Sequence, residues 1–137
     1  MIARVGAATQ ANAAHAIGNL IADLQRENVA ASIAVVPVGT AKLPEKLEDI
    51  LAVHTRMHAA EGAFYRDVVA RGCAAMGLEV HRVVERELSA LVADLLDVKQ
   101  PVLAARLKNM GAALGPPWSE DYRLATLAAW LHLARAR

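Results

Sequence analysis

Apolar residues along this chain change their spacing several times, and each change marks an element. Ile2 to Ala8, IARVGAA, alternates weakly and predicts a strand. From Ala11 to Glu27 the apolar positions Ala14, Ile17, Leu20, Ile21 and Leu24 recur at helical spacing, with Asn12 placed to cap the first turn. Ser32 to Val38, SIAVVPV, is a short β-branched run bounded by Pro37 and Gly39, which suits a buried strand whose ladder stops at the proline. Leu43 to Met76 then reads as one long helix, since Leu47, Ile50, Leu51, Met57, Val68 and Met76 fall within about 60° of one line at about 100° per residue. Pro44 suits its first turn, and Glu45, Glu48 and Asp49 complement its positive end. Gly62 and Gly72 leave open a break into two helices or a close backbone contact. Gly77 ends the helix, and Glu79 to Glu87, EVHRVVERE, has the β-branched content of a third strand. Helices follow over Leu88 to Leu96 and Pro101 to Leu114, and a last one after Ser119 carries the stripe Leu124, Leu127, Ala128 and Leu131.

Helices between strands imply parallel pairing, so the pattern predicts an α/β domain over residues 1–137. Its sheet is small and mainly parallel, with about three strands flanked by helices and a helical C-terminal third. The first strand is expected to be paired on at least one side, because an apolar edge there invites aggregation.

The stripe of the long helix contains polar groups. His54, His58, Glu61 and Tyr65 lie on the same line as the Leu and Val residues above and below them. They are expected to be buried, either as a hydrogen-bonded knot or as the floor of a site. His54, His58 and Glu61 stand at i, i+4 and i+7, a spacing that presents three metal ligands from one helical face. Glu85 and Glu87, at the end of the third strand, stand where α/β sheets place ligand contacts and so could converge with Glu61.

Charge and composition narrow the field. Fifteen Lys and Arg against fourteen Asp and Glu leave a net charge of +1, without the bias of a dedicated nucleic-acid coat. The longest uncharged runs, Val5 to Ala22 and Asn28 to Ala41, contain Gln, Asn and His or Pro and Gly, which argues against a membrane span. A lone cysteine, Cys73, cannot form an internal disulfide and reads as a small packed residue; with no secretion pattern at its start, the chain is expected to be cytoplasmic.

The strings LPEKL at Leu43 to Leu47, EGAFYRDVVARG at Glu61 to Gly72, GLEVHRV at Gly77 to Val83, and Asp121 followed by LATLAAW together resemble bacterial Holliday-junction resolvases of the ribonuclease-H-like class, over about two thirds of the chain. The resemblance implies divalent-metal-dependent cleavage of nucleic acid with Mg²⁺ or Mn²⁺, Glu61 and Asp121 serving as catalytic metal ligands. Arg66, Arg71, Arg82 and Arg86 would then contact phosphates. Three departures stand beside it: the first segment has no Asp, Leu124 occupies the place of a second C-terminal acid, and no clear strand precedes Glu61. Such a chain is a nuclease or a catalytically degenerate nucleic-acid binder. The contrasting expectation is a non-catalytic module that binds a partner protein or a second copy of itself, using the Pro116, Pro117 and Trp118 corner and an exposed helix face.

Overall fold

A computed structural model describes residues 2–135, with side chains described from Gly6 onward. Six helices and two strands run in the order α1 (Ile2–Arg26), β1 (Ile33–Val38), α2 (Leu47–Leu51), α3 (His54–Ala75), β2 (Glu79–Val84), a 3₁₀ turn (Glu85–Glu87), α4 (Leu88–Leu95), α5 (Gln100–Leu114) and α6 (Glu120–Arg135). The α/β class with a small parallel sheet and a helical C-terminal part is therefore as expected, but the described residues hold two strands, not three. Ile2 to Ala8 is helical. Its alanines continue without a breaker into the amphipathic run that follows, and extending an existing helix costs far less than starting a separate element. Asn12, expected as the cap, lies exposed inside α1.

The strands pair in parallel from Ile33 opposite Glu79 to Val38 opposite Val84. Alternation sends their side chains to two different layers. Val35 and Val83 pack against the main core, formed by Leu88, Val92 and Ala93 of α4, Leu103 and Leu107 of α5, and Leu127, Ala128 and Leu131 of α6. On the other face Arg82 reaches Asp67 of α3. Helices α4 to α6 thus cover one face, and α3 covers the other with α1 packed upon it.

Two glycines permit close approaches. A Cβ at Gly72 would lie 2.6 Å from Ile17 Cδ1, so the bare backbone of α3 lets α1 in. A Cβ at Gly111 would lie 2.3 Å from Trp118 Cδ1, because the indole lies flat on α5. Of the corner, Trp118 therefore faces inward against the core cluster, while Pro116 and Pro117 stay exposed. The Pro116–Pro117 peptide beside it is cis.

The long helix breaks at Val53, whose extended backbone (φ −130°, ψ 114°) separates α2 from α3, rather than at Gly62. Pro44 consequently lies ahead of α2, outside any helix. Beyond the break, α1 covers only part of the expected stripe. Among the described residues, its contacts include Gln10 Nε2 donating to the Val68 carbonyl (3.3 Å), Ile17 against Gly72 and Gly18 beside Met76, toward the C-terminal end of α3 and its cap.

Candidate functional site

His54, His58 and Glu61 occupy the uncovered first turns of α3, and all three are exposed. The expectation that His54 and Glu61 are buried fails for this reason: the stripe continues past the helix that covers it, so its polar members meet water. The groups still contact one another. His54 and His58 face each other through their Nε2 atoms at 3.0 Å, and His58 Nδ1 lies 3.6 Å from Glu61 Oε2 with both side chains more than half exposed. This is a solvated surface chain and not a knot inside the fold. Among the described residues, no group of three or more His, Cys, Asp or Glu side chains is arranged to hold a metal ion.

Hollows gather instead at the carboxyl ends of the two strands, where an α/β sheet leaves room between its helices. One, of about 390 Å³, is lined by Val36, Pro37, Tyr65, Arg66, Val69, Glu85, Asp121, Leu124 and Ala125. Glu85 and Asp121 do share this hollow, but Glu61 does not line it. Arg66 Nη2 donates to Glu85 Oε2 at 2.8 Å, so a guanidinium already occupies the position a cation would take beside that carboxylate. Two carboxylates and an arginine do not fit a divalent metal, and the donor set that Glu61 and Asp121 would need is not assembled.

Arg82 and Arg71 converge on Asp67, at 2.9 and 2.7 Å. The hydrogen bond from Arg82 holds the Asp67 carboxyl below its ordinary value, with burial opposing and the Arg71 charge assisting. Of the four arginines expected to contact phosphate, Arg86 alone forms no ion pair among the described residues. Arg66 and Arg82 nevertheless open on one 290 Å³ hollow beside Gly39 and Thr40, and Arg66 and Arg86 on another. Cys73 is buried, and desolvation pushes its thiol up, which leaves it protonated and unreactive at neutral pH.

A different surface was not anticipated. Beside β1, on the α6 side, lies an apolar hollow of about 300 Å³ lined by Ala30, Ala31, Ser32, Ile33, Val35, Ala125, Ala129, His132 and Leu133. Ala125 belongs to this hollow and to the larger one at the strand end, so the two form one flank along β1. Ile33, Tyr65, Val69 and Leu133 are all exposed on it, Leu133 to 66%. The uncharged run from Asn28 to Ala41 was its signal in the sequence. Comparison with known proteins adds no relative, since no family model, curated protein or solved structure matches the chain. No helix among the described residues is long and apolar enough to cross a membrane.

Proposed function

We propose that the chain is a non-catalytic association module, a subunit whose working surface is the apolar flank of β1. The observation that carries this reading is an area. The chain exposes 9736 Å², whereas a compact monomer of 14.6 kDa exposes about 6,900 Å². The excess, about 2,800 Å², resembles what a subunit displays when its partner is taken away. Ile33, Tyr65, Val69 and Leu133 stand exposed along the flank, and a cluster of exposed apolar side chains on a folded chain marks an interaction site. The experiment is to titrate dilute protein with a dye that fluoresces on apolar protein surface. Wild type is expected to bind it, and Val69→Glu and Leu133→Glu to bind less while melting as wild type does. Wild-type protein that binds no dye at low concentration and remains monomeric when concentrated would refute the reading.

Contact with a phosphate backbone is the second reading, supported by Arg66, Arg82 and Arg86 opening on adjoining hollows at the strand ends. It ranks second because Arg66 and Arg82 are already neutralised by Glu85 and Asp67. Labelled four-way-junction DNA at about 50 mM salt, where phosphate contacts are strong, tests it. Binding that weakens in Arg86→Ala would favour it, and absence of binding would remove it together with the nuclease reading.

A further inference from the structure

β1 has a side that nothing uses. In a parallel pair, one residue directs both its N–H and its C=O at the neighbouring strand and the next directs both away. The Ser32 carbonyl accepts from the Glu79 N–H at 2.9 Å and Ile33 stands opposite Glu79, so Ala34, Val36 and Val38 address β2 while Ile33, Val35 and Pro37 turn outward. Among the described residues, no partner meets the outward N–H groups of Ile33 and Val35. Pro37 fits this parity, since its missing N–H falls on the outward side. The free side of β2 is guarded by Arg82, with Glu79 and Glu85 at its ends, whereas β1 lies inside a run of uncharged residues. An apolar strand edge without charges is a template for pairing.

Resting on the association reading above, we infer that the occupant of this edge is a second copy of the chain, with β1 pairing antiparallel to its twin across a twofold axis at Ala34. Self-pairing along an uncharged edge meets no like-charge repulsion. The register follows from Pro37. Placing Ile33 opposite Val35 of the other copy uses both outward groups of both residues, giving four hydrogen bonds within the strand as it stands. Placing Ile33 opposite Pro37 would keep as many bonds but leave both Ile33 carbonyls facing a proline ring in place of an N–H, and the opposite slip would pair Val35 with Ala31, outside the strand. Ala34 then faces its own copy as a non-hydrogen-bonded pair, with α-carbons about 4.5 Å apart, a separation its small side chain allows. The area is compatible, because an obligate dimer covers about 1,000–2,500 Å² on each partner, within the excess of about 2,800 Å². The result is one four-stranded sheet, β2-β1-β1-β2, with the apolar flanks closed over each other.

Sedimentation at about 200 µM should give wild type at twice 14.6 kDa, with the mass falling toward the monomer on dilution as mass action requires. Oxidised Ala34→Cys should cross-link efficiently, since its spacing suits a disulfide, while Val84→Cys on the outer side of β2 should not. Val35→Pro should be monomeric yet folded, because its N–H is not in the β1–β2 ladder; if it fails to fold, the cross-linking of Ala34→Cys decides. A concentrated wild type that stays monomeric, or a dimer that does not cross-link through Ala34→Cys, overturns the inference. If dye binding at the flank persists in either case, the association reading stands and the occupant is another protein or another face of this one. If it is absent as well, both fall.

Discussion

Gly111→Ala tests the packing of the core through one added carbon. In the exposed middle of a helix the change would stabilise by about 1 kcal/mol, because alanine loses less backbone freedom than glycine. At Gly111 the new Cβ would meet three ring atoms of Trp118, Cδ1 at 2.3 Å and Cγ and Nε1 at 2.5 Å each. An indole is rigid and cannot yield at one atom, so the whole ring must shift from its place against the core. Overpacking of this kind costs about 1–3 kcal/mol, and the depth of the overlap places Gly111→Ala toward the upper end. The net expectation is a loss of about 1–2 kcal/mol, the overpacking cost less the propensity gain. Urea denaturation followed by circular dichroism gives the value, and thermal melting should fall by roughly 3–6 °C per kcal/mol at this chain length. Gly62→Ala is the control. There the added carbon meets only the Arg66 guanidinium, Nη1 at 2.9 Å and Cζ at 3.9 Å, the tip of a flexible side chain, so stability should rise. In a Trp118→Ala background, Gly111→Ala should also become stabilising, because the obstacle is gone. A Gly111→Ala protein as stable as wild type would refute the packing of Trp118 on α5.

Two further outcomes follow from surface geometry. Glu61→Ala should change stability by less than about 0.5 kcal/mol, as exposed substitutions do, with or without added divalent metal; a loss above about 1 kcal/mol would restore the buried knot. Asp67→Asn should weaken the fold at neutral pH by less than about 1 kcal/mol, since the pair is partly exposed. Because the folded Asp67 holds its proton less tightly than the ordinary value of 3.8, the contribution is fully present above that pH and fades as pH falls through the lower folded value. The two proteins should therefore converge in acid, and a difference that persists or grows there would contradict the Arg82 and Arg71 contacts.

Much of the fold was legible because strong local signals and tertiary packing agreed. Gly77, at φ 82°, closes α3 with the Leu78 N–H returning to the Cys73 carbonyl, as a glycine after an apolar stripe leads one to expect. Pro101 starts α5, and Leu103, Leu107, Leu127, Ala128 and Leu131 form the core their spacing predicted. Errors arose where one signal served two structures. IARVGAA reads as a strand by alternation and as a helix by its alanines, and continuity with the next segment decided for the helix. The α3 stripe was real, but a stripe states which residues share a line and not how far the neighbouring helix extends along it. For the site, Glu85 was rightly placed at the strand end, whereas its pairing with Arg66 depends on how α3 crosses the sheet, which no spacing encodes. The free edge of β1 became visible only once Ile2 to Ala8, expected as the first strand, proved helical.

Pairing at that edge is read most directly from its peptide groups. Amide hydrogen exchange read residue by residue, in dilute and in concentrated protein, separates the two sides of β1. Ala34, Val36 and Val38 address β2 in every state and should be protected alike at both concentrations. Ile33 and Val35 should exchange quickly in dilute protein and become protected as concentration rises, because their N–H groups acquire a partner only when a second copy docks. Rapid exchange of Ile33 and Val35 at every concentration would contradict pairing at this edge.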